Sequence, residues 1–300
     1  NSGKMTNKGW EFRVDAVPFE NRDWRVGFYF NIAHNENKIT EMPDNYTEEN
    51  YTFNNGEYAY RREEGRPMGS FYGYRYKGVC QNKDATYARD ADGNVMKDIS
   101  GNAIVMRNGT ATIAPGDALY EDINHDGVIN QYDIVYLGNS NPRFTGGAGV
   151  NVSYKQFKLS AIFYGRYGQD VVNSTRLNNE SMRGIDNQST AVLRRWRNEG
   201  DQTDIPRALY GEGYNTLGSD RFVEDASYLR LKSLSFNYRL PKKIIQRWGF
   251  SNIDVYVTGY NLFTWTKYTG QDPEVKTENT YARDSATTPA SIQLVAGFNF

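Results

Sequence analysis

The sharpest chemistry in this sequence lies in twelve consecutive residues, Asp122-Ile123-Asn124-His125-Asp126-Gly127-Val128-Ile129-Asn130-Gln131-Tyr132-Asp133. Side-chain oxygens fall at positions 1, 3, 5, 9 and 12 (Asp122, Asn124, Asp126, Asn130 and Asp133), the spacing by which a calcium loop surrounds its ion. Gly127 stands at position 6, where the chain must turn sharply, and the Val128 carbonyl adds an oxygen at position 7. Ile129 would pin such a loop to a core. The expected ligand is one structural Ca²⁺. Asp133 is shorter than the bidentate Glu that EF-hands place last, and Asn at positions 3 and 9 lowers the ligand charge. The bland alternative is an Asp/Asn/Gly-rich turn that holds no ion.

Other chemistry is thin. The two histidines, His34 and His125, fall on a strand and in the calcium-type loop, so a Ser-His-Asp arrangement is not expected. There is no Walker loop, no dinucleotide fingerprint and no Cys/His metal cluster. No carboxylate pair stands out from the solvated loop charges, so the chain is not expected to be an enzyme. Trp196, Tyr210, Tyr214, Tyr268 and Tyr281 sit in polar segments, where they could stack on sugar rings or simply pack within the loops. A net charge of −1 gives no attraction to nucleic acid.

The elements that must carry these residues are strands. Mean hydropathy is −0.74 and no apolar run approaches the length of a membrane helix. Alternating strands remain possible, because half of each strand may face water. Trp10, Phe12, Val14 and Ala16 alternate with Glu11, Arg13 and Asp15; after a turn at 20–23, Trp24, Val26, Phe28, Phe30 and Ile32 alternate with Arg25, Gly27, Tyr29, Asn31 and Ala33. A weaker strand is expected around 57–62, and Ser70, Tyr72, Tyr74 and Tyr76 alternate with Gly69, Phe71, Gly73 and Arg75 in the next. Phe144, Ala148, Val150 and Val152 lead through a turn at 154–156 into Phe157, Leu159, Ala161 and Phe163, opposed by Lys158, Ser160, Tyr164 and Arg166. A strand over 228–240 changes phase between Leu231 and Leu234, which predicts a bulge. A helical turn is expected within 241–251 and a short helix within 191–198. In Ser291 to Phe300, Ile292, Leu294, Ala296, Phe298 and Phe300 share one face, with Gln293 and Asn299 on the other. That length suits a closing strand of a tilted membrane barrel, which needs roughly ten residues per crossing.

About ten amphipathic strands are thus joined alternately by short turns and long polar loops. The loop segments include 81–141, which carries the 122–133 motif and hairpin turns at Asp92-Gly93-Asn94 and Ser100-Gly101-Asn102, and 168–222. Counted back from the last strand, the long loops fall on one side. Outer-membrane barrels sort their connections this way. The expected fold is therefore all-β: part of a transmembrane β-barrel with long extracellular loops. The competing reading is a secreted, calcium-stabilised β-sandwich module that binds carbohydrate.

Several stretches also resemble one family. They are 5–11 (Met-Thr-Asn-Lys-Gly-Trp-Glu), 65–74 (Gly-Arg-Pro-Met-Gly-Ser-Phe-Tyr-Gly-Tyr), Pro115-Gly116-Asp117 through Asp133, and 138–142 (Gly-Asn-Ser-Asn-Pro). Further along come 224–231 (Glu-Asp-Ala-Ser-Tyr-Leu-Arg-Leu), 260–265 (Tyr-Asn-Leu-Phe-Thr-Trp), 270–274 (Gly-Gln-Asp-Pro-Glu) and 289–300. In this order they resemble the C-terminal part of SusC/RagA-like TonB-dependent transporters of the Bacteroidota outer membrane. The resemblance implies a barrel of about 22 strands, of which residues 1–300 would supply the last ten or so. It implies an importer of oligosaccharides or peptides in the Gram-negative outer membrane, a multi-pass β-barrel in contact with its lipid. The implied partners are a SusD-like surface lipoprotein lid, the remaining barrel and plug segment, and TonB acting through the plug. The family's TonB box, plug and first strands have no counterpart within these residues.

Overall fold

The computed structural model describes residues 3–43, 56–59, 61–211, 214–274, 277–278, 281–282 and 290–299. Seven strands form one continuous antiparallel sheet: β1 (Lys4–Glu20), β2 (Trp24–Glu41), β3 (Phe144–Tyr154), β4 (Phe157–Tyr167), β5 (Tyr228–Arg239), β6 (Asn252–Thr266) and β7 (Ser291–Asn299). Each pairs with the next in chain order. The connections at one end are 21–23, 155–156 and 240–251; those at the other are 42–143, 168–227 and 267–290. The sorting of loops expected from the sequence is therefore present in the sheet.

Register follows the alternation. One lateral row runs Phe19, Val26, Val152, Leu159, Phe236, Val257 and Leu294 across all seven strands. The neighbouring row on the opposite face runs Gly27, Asn151, Ser160, Ser235, Thr258 and Gln293. Within it Ser160 donates to Asn151 Oδ1 at 2.7 Å and Thr258 to Ser235 Oγ at 2.8 Å. Phe157, Leu159, Ala161, Phe163, Ile292 and Leu294 thus share one face, and Lys158, Ser160, Tyr164, Arg166 and Gln293 the other, as the sequence predicts. The side chains of Phe298 and Asn299, and all of Phe300, lie outside the described residues.

Nothing among the described residues covers the apolar face. Leu159 is 44% exposed, Phe236 43% and Leu294 76%. A sandwich would bury these side chains beneath a second sheet, so the structure argues against that alternative. Aromatic rings gather at both margins of the apolar band. Beside the short turns Trp24 lies 4.3 Å from Tyr154 and Phe157 lies 4.7 Å from Tyr238, centroid to centroid. Toward the long loops Trp10, His34 and Phe144 form one cluster, and Phe263 stacks on Trp265. The 11 residues from Phe144 to Tyr154, tilted by about 45°, rise about 24 Å, the height of a lipid-exposed band between aromatic girdles.

Two expectations are corrected. The sheet has seven strands among the described residues, not about ten. Ser70–Gly73 is buried on both faces and pairs with Val135–Asn139, while Tyr76–Val79 pairs with Ala118–Tyr120, so both belong to the loop body. A barrel strand exposes one face, which Ser70–Gly73 does not, and Tyr76–Val79 pairs within the loop body rather than with the sheet. The loop segment drawn at 81–141 is accordingly the middle of a connection spanning 42–143. The helix expected over 191–198 is only a 3₁₀ segment, Thr190–Arg194, and the α-helix of that connection lies earlier, at Ser174–Asn179.

Other readings hold. The helical turn in 241–251 is Lys242–Ile245, with Ile245 fully buried. The bulge in β5 is Lys232: Leu231 pairs with Phe163 and Ser233 with Ile162, leaving Lys232 unmatched. The turns at 92–94 and 100–102 close beside isolated bridges Arg89–Val95 and Lys97–Ala103.

Candidate functional site

The long connections form an interlocked body on one end of the sheet. Its core gathers Tyr72, Tyr74, Ala118, Tyr120, Ile129, Ile134 and Leu217, drawn from the first two long connections. The backbones meet at Gly73 and Gly218: Tyr74 N–H donates to the Gly218 carbonyl at 2.9 Å, and a Cβ on Gly73 would fall 2.2 Å from that oxygen. Only glycine fits there. The Tyr120 hydroxyl accepts from Leu217 N–H at 3.0 Å, and the Tyr58 hydroxyl donates to the Ser219 carbonyl at 2.8 Å.

Ion pairs continue the interlock. Arg207 reaches Asp117 at 2.7 Å, and Asn215 accepts from Ala118 N–H while its own amide reaches Asp117. Glu180 receives Arg176 and Arg221, and Glu224 receives Arg176, Asn173 and Thr269. Asp170 accepts from Asn139 N–H at 3.3 Å, and a Cβ on Gly138 would lie 2.5 Å from the same carboxylate. Burial raises the Asp170 pKa, with Asp225 adding to the rise and the Asn139 N–H and Arg143 opposing it. Burial likewise pushes the Cys80 thiol up to about 11, so it stays protonated and unreactive at neutral pH.

The third connection is fastened to the polar face of the sheet. Arg230, on β5, donates to Asp272 and, at 2.7 Å, to Glu274; its remaining Nε–H goes to Thr264 on β6 at 2.8 Å. Lys232, turned to this face by the bulge, pairs with Glu274 at 2.6 Å. Gln169 donates to the carbonyls of Ala226 and Pro273 at 3.1 and 3.0 Å. Arg230 and Asp272 side chains are each only 3% exposed. The sequence displayed 224–231 and 270–274 as motifs but not that one grips the other, because the pairing is between segments distant in the chain.

The 122–133 loop closes largely on its own backbone. Asp122 accepts from Asp126 and Gly127 N–H, Asp126 from Val128 N–H, Asn130 from Tyr132 N–H, and Asp133 from Ile123 and Asn130 N–H. The Asn124 side chain joins Asp126, and the Val128 carbonyl accepts from the Asn130 amide. His125 and Gly127 take positive φ, 56° and 81°. Ile129 is fully buried in the loop-body core. Among the described residues no three His, Cys, Asp or Glu side chains gather into a metal-holding group, so Asp122, Asp126 and Asp133 do not converge. Asp133 is fully buried, which raises its pKa, and Asp122 and Asp126 add to the rise.

The aromatic loop candidates separate. Trp196 packs where a Gly116 side chain would be, Tyr268 is buried with Val171 and Ala226, and Tyr214 lies against the main loop core. Tyr210 is 80% exposed. The side chain of Tyr281 lies outside the described residues. His34 lies tilted against Trp10 and Phe144, its Nδ1 2.7 Å from the Arg143 carbonyl oxygen.

No family model matches the chain. It is 33% identical over 289 residues to TonB-dependent receptor P3 of Formosa agariphila, a match covering 93% of this chain and 26% of that protein. TonB-dependent receptor SusC of Bacteroides thetaiotaomicron is 26% identical over 286 residues, covering 92% and 25%. A solved structure of the RagAB peptide transporter superposes with a TM-score of 0.66 at 24% identity, covering 99% of this chain and 29% of that one. The chain therefore spans about a quarter of the curated relatives it matches. These relatives are receptors and transporters, not enzymes. On sequence and fold together, the chain matches the C-terminal part of the barrels of TonB-dependent receptors and transporters such as SusC.

Proposed function

We propose that this chain supplies the closing wall and outer loop body of an energised outer-membrane importer. The observation that carries the reading is the loop body itself. Three long connections leave one end of a lipid-suited sheet and interlock, and the third is clamped to its polar face through Arg230. Cargo is an oligosaccharide or a peptide, the latter supported by the likeness to a peptide transporter. Energy would reach the barrel from TonB through the plug. A SusD-like lipoprotein would sit as a lid on the loop body, whose exposed apolar side chains include Ile185, Leu193 and Tyr210.

The test uses the complete transporter in its own cell. Uptake of labelled oligosaccharide and peptide pools should fall when the gene is deleted and return on complementation. Replacing Ile185, Leu193 and Tyr210 by Ser should reduce co-purification of the lid lipoprotein while barrel levels hold. Unchanged uptake of both cargo classes in the deletion strain would overturn the importer reading.

A separate proposal concerns residues 122–133. Asp122, Asn124, Asp126, the Val128 carbonyl, Asn130 and Asp133 would hold one Ca²⁺ in a structural role. Support comes from the donor spacing and from buried Asp133, whose pKa is raised by burial and further by the charges of Asp122 and Asp126, a cost that a dication would relieve. The side chains fit the ion in kind and order. Binding would require Asp122 and Asp126 to turn inward from the amides they now accept.

A further inference from the structure

The apolar face carries a depression between β2 and β5. In the row that runs Ile32, Gly146, Gly165, Leu229 across β2 to β5, two neighbouring positions have no side chain at all. Backbone crowding dictates the glycines: a Cβ on Gly146 would lie 2.5 Å from the Asn31 carbonyl oxygen, and one on Gly165 2.7 Å from that of Tyr228. The consequence on the outer surface is a groove of about 660 Å³ with Gly146, Gly165 and Ala148 on its floor. Phe30 and Ile32 form one wall, Leu229 the other, and Phe144 with Tyr167 the rim. Ile32 and Leu229 stand three strand spacings apart, roughly 14 Å, which leaves room for hydrocarbon chain between them.

Depth and charge identify what fills it. The groove lies level with the aromatic girdle on the long-loop side, where Trp10, Phe144 and Trp265 mark the membrane–water boundary. At its upper end it reaches Ser227, Asp225 and Lys267. Asp225 is engaged by Ser227, through both the backbone N–H and the hydroxyl. Lys267 is exposed and has no ion pair among the described residues. An apolar trough that ends on an uncommitted ammonium at interfacial depth matches a lipid with an acyl chain below and a phosphate above.

We propose that this groove seats one phosphate-bearing lipid of the outer leaflet, its acyl chain over Gly146 and Gly165 and its phosphate on Lys267. The seat rests on the membrane placement of the sheet and adds a specific lipid site to it. Its effect is to fill a notch beside the strand ends that carry the loop body, so that the wall under β3, β4 and β5 is backed by hydrocarbon.

The complete transporter, delipidated in detergent and titrated with palmitoyl-oleoyl phosphatidylglycerol or the matching diacylglycerol, reads this out by native mass spectrometry. The expected result is one retained phosphatidylglycerol, preferred over the diacylglycerol. Lys267→Ala should reduce that preference about fivefold, the worth of one interfacial lysine. Ala148→Leu, which raises the groove floor without touching either glycine, should lower retention of both lipids. Equal retention of the two lipids by the natural protein, or variants that bind like it, would overturn the proposal. Partition of each variant into the outer-membrane fraction is scored in parallel, so that failed membrane placement is told apart from a missing seat.

Discussion

Arg230 and Asp272, 42 residues apart in the chain, meet with both side chains almost wholly buried. One sits on the wall and the other on a loop, so this contact decides whether the loop follows the wall. A buried charge that loses its partner is costly, about 3–5 kcal/mol. Arg230→Met should therefore release the 267–274 segment while the sheet, held by its own ladders, persists. Hydrogen exchange should quicken at 267–274 and at Gln169. Asp272→Asn should act more mildly, because Glu274 still pairs with Arg230. Unaltered exchange in Arg230→Met would show that the clamp holds nothing.

A second expectation separates the two faces of β4. Ala161 lies in the apolar row with Val150 and Leu234, whereas Ser160 lies between Asn151 and Ser235 on the polar face. A lysine at 161 should cost about 2–4 kcal/mol at mid-depth, and one at 160 much less. Folding of the complete barrel into phosphatidylcholine vesicles, followed by its heat-modifiable gel shift, gives both numbers. Equal costs at the two positions would contradict the assigned faces.

These face assignments were legible in the sequence because they depend on a period of two within single strands. The bulge at Lys232 was legible for the same reason, as a slip in phase between Leu231 and Leu234. The strand count was not. Ser70, Tyr72 and Tyr74 alternate as a barrel strand would, yet Tyr72 and Tyr74 are buried by Tyr120, farther along the same connection, and by Leu217 of the next. Alternation reports a local preference and cannot say which partner will cover it. The same limit hid the Arg230 clamp and the Gly73–Gly218 crossing, both made between distant segments. Nor was it visible that the first long connection would share a core with the second through Leu217.

The burial of Asp170 gives a pH dependence. Burial raises the folded-state pKa of Asp170 above its ordinary 3.8. Between the unfolded and folded pKa values the native state binds the extra proton, so this group favours folding most at low pH and that contribution is lost as pH rises through the folded pKa. Local stability around Gly138–Asn139 and 170–172 should therefore decline as pH rises from about 4 toward neutrality. Asp170→Asn, which keeps an acceptor for Asn139 N–H and carries no charge, should flatten that decline. Hydrogen exchange of the Asn139 and Val171 amides across this range is the measurement, and an equal slope in both proteins would refute the assignment.

The calcium loop offers the last and narrowest test. Because Ile129 is packed in a core shared with Tyr72, Tyr120 and Leu217, the loop body should keep its fold when calcium is chelated. Only residues 122–133 should loosen. Affinity should be weak, about 10⁻⁴–10⁻³ M, since Asn occupies two ligand positions and the final Asp cannot reach as a Glu does. Terbium reports on such a site through a nearby phenol, and Tyr132, within the loop and 68% exposed, is placed to sensitise it. Saturable terbium emission should appear in the complete transporter, yield to calcium more readily than to magnesium, and vanish in the Asp122→Ala, Asp126→Ala double variant. Magnesium competes poorly because it demands a tight octahedron that a loop of this size does not impose. If emission fails to saturate in the millimolar range, the amide contacts of Asp122 and Asp126 are the whole purpose of those carboxylates, and the segment is a turn stapled by its own side chains.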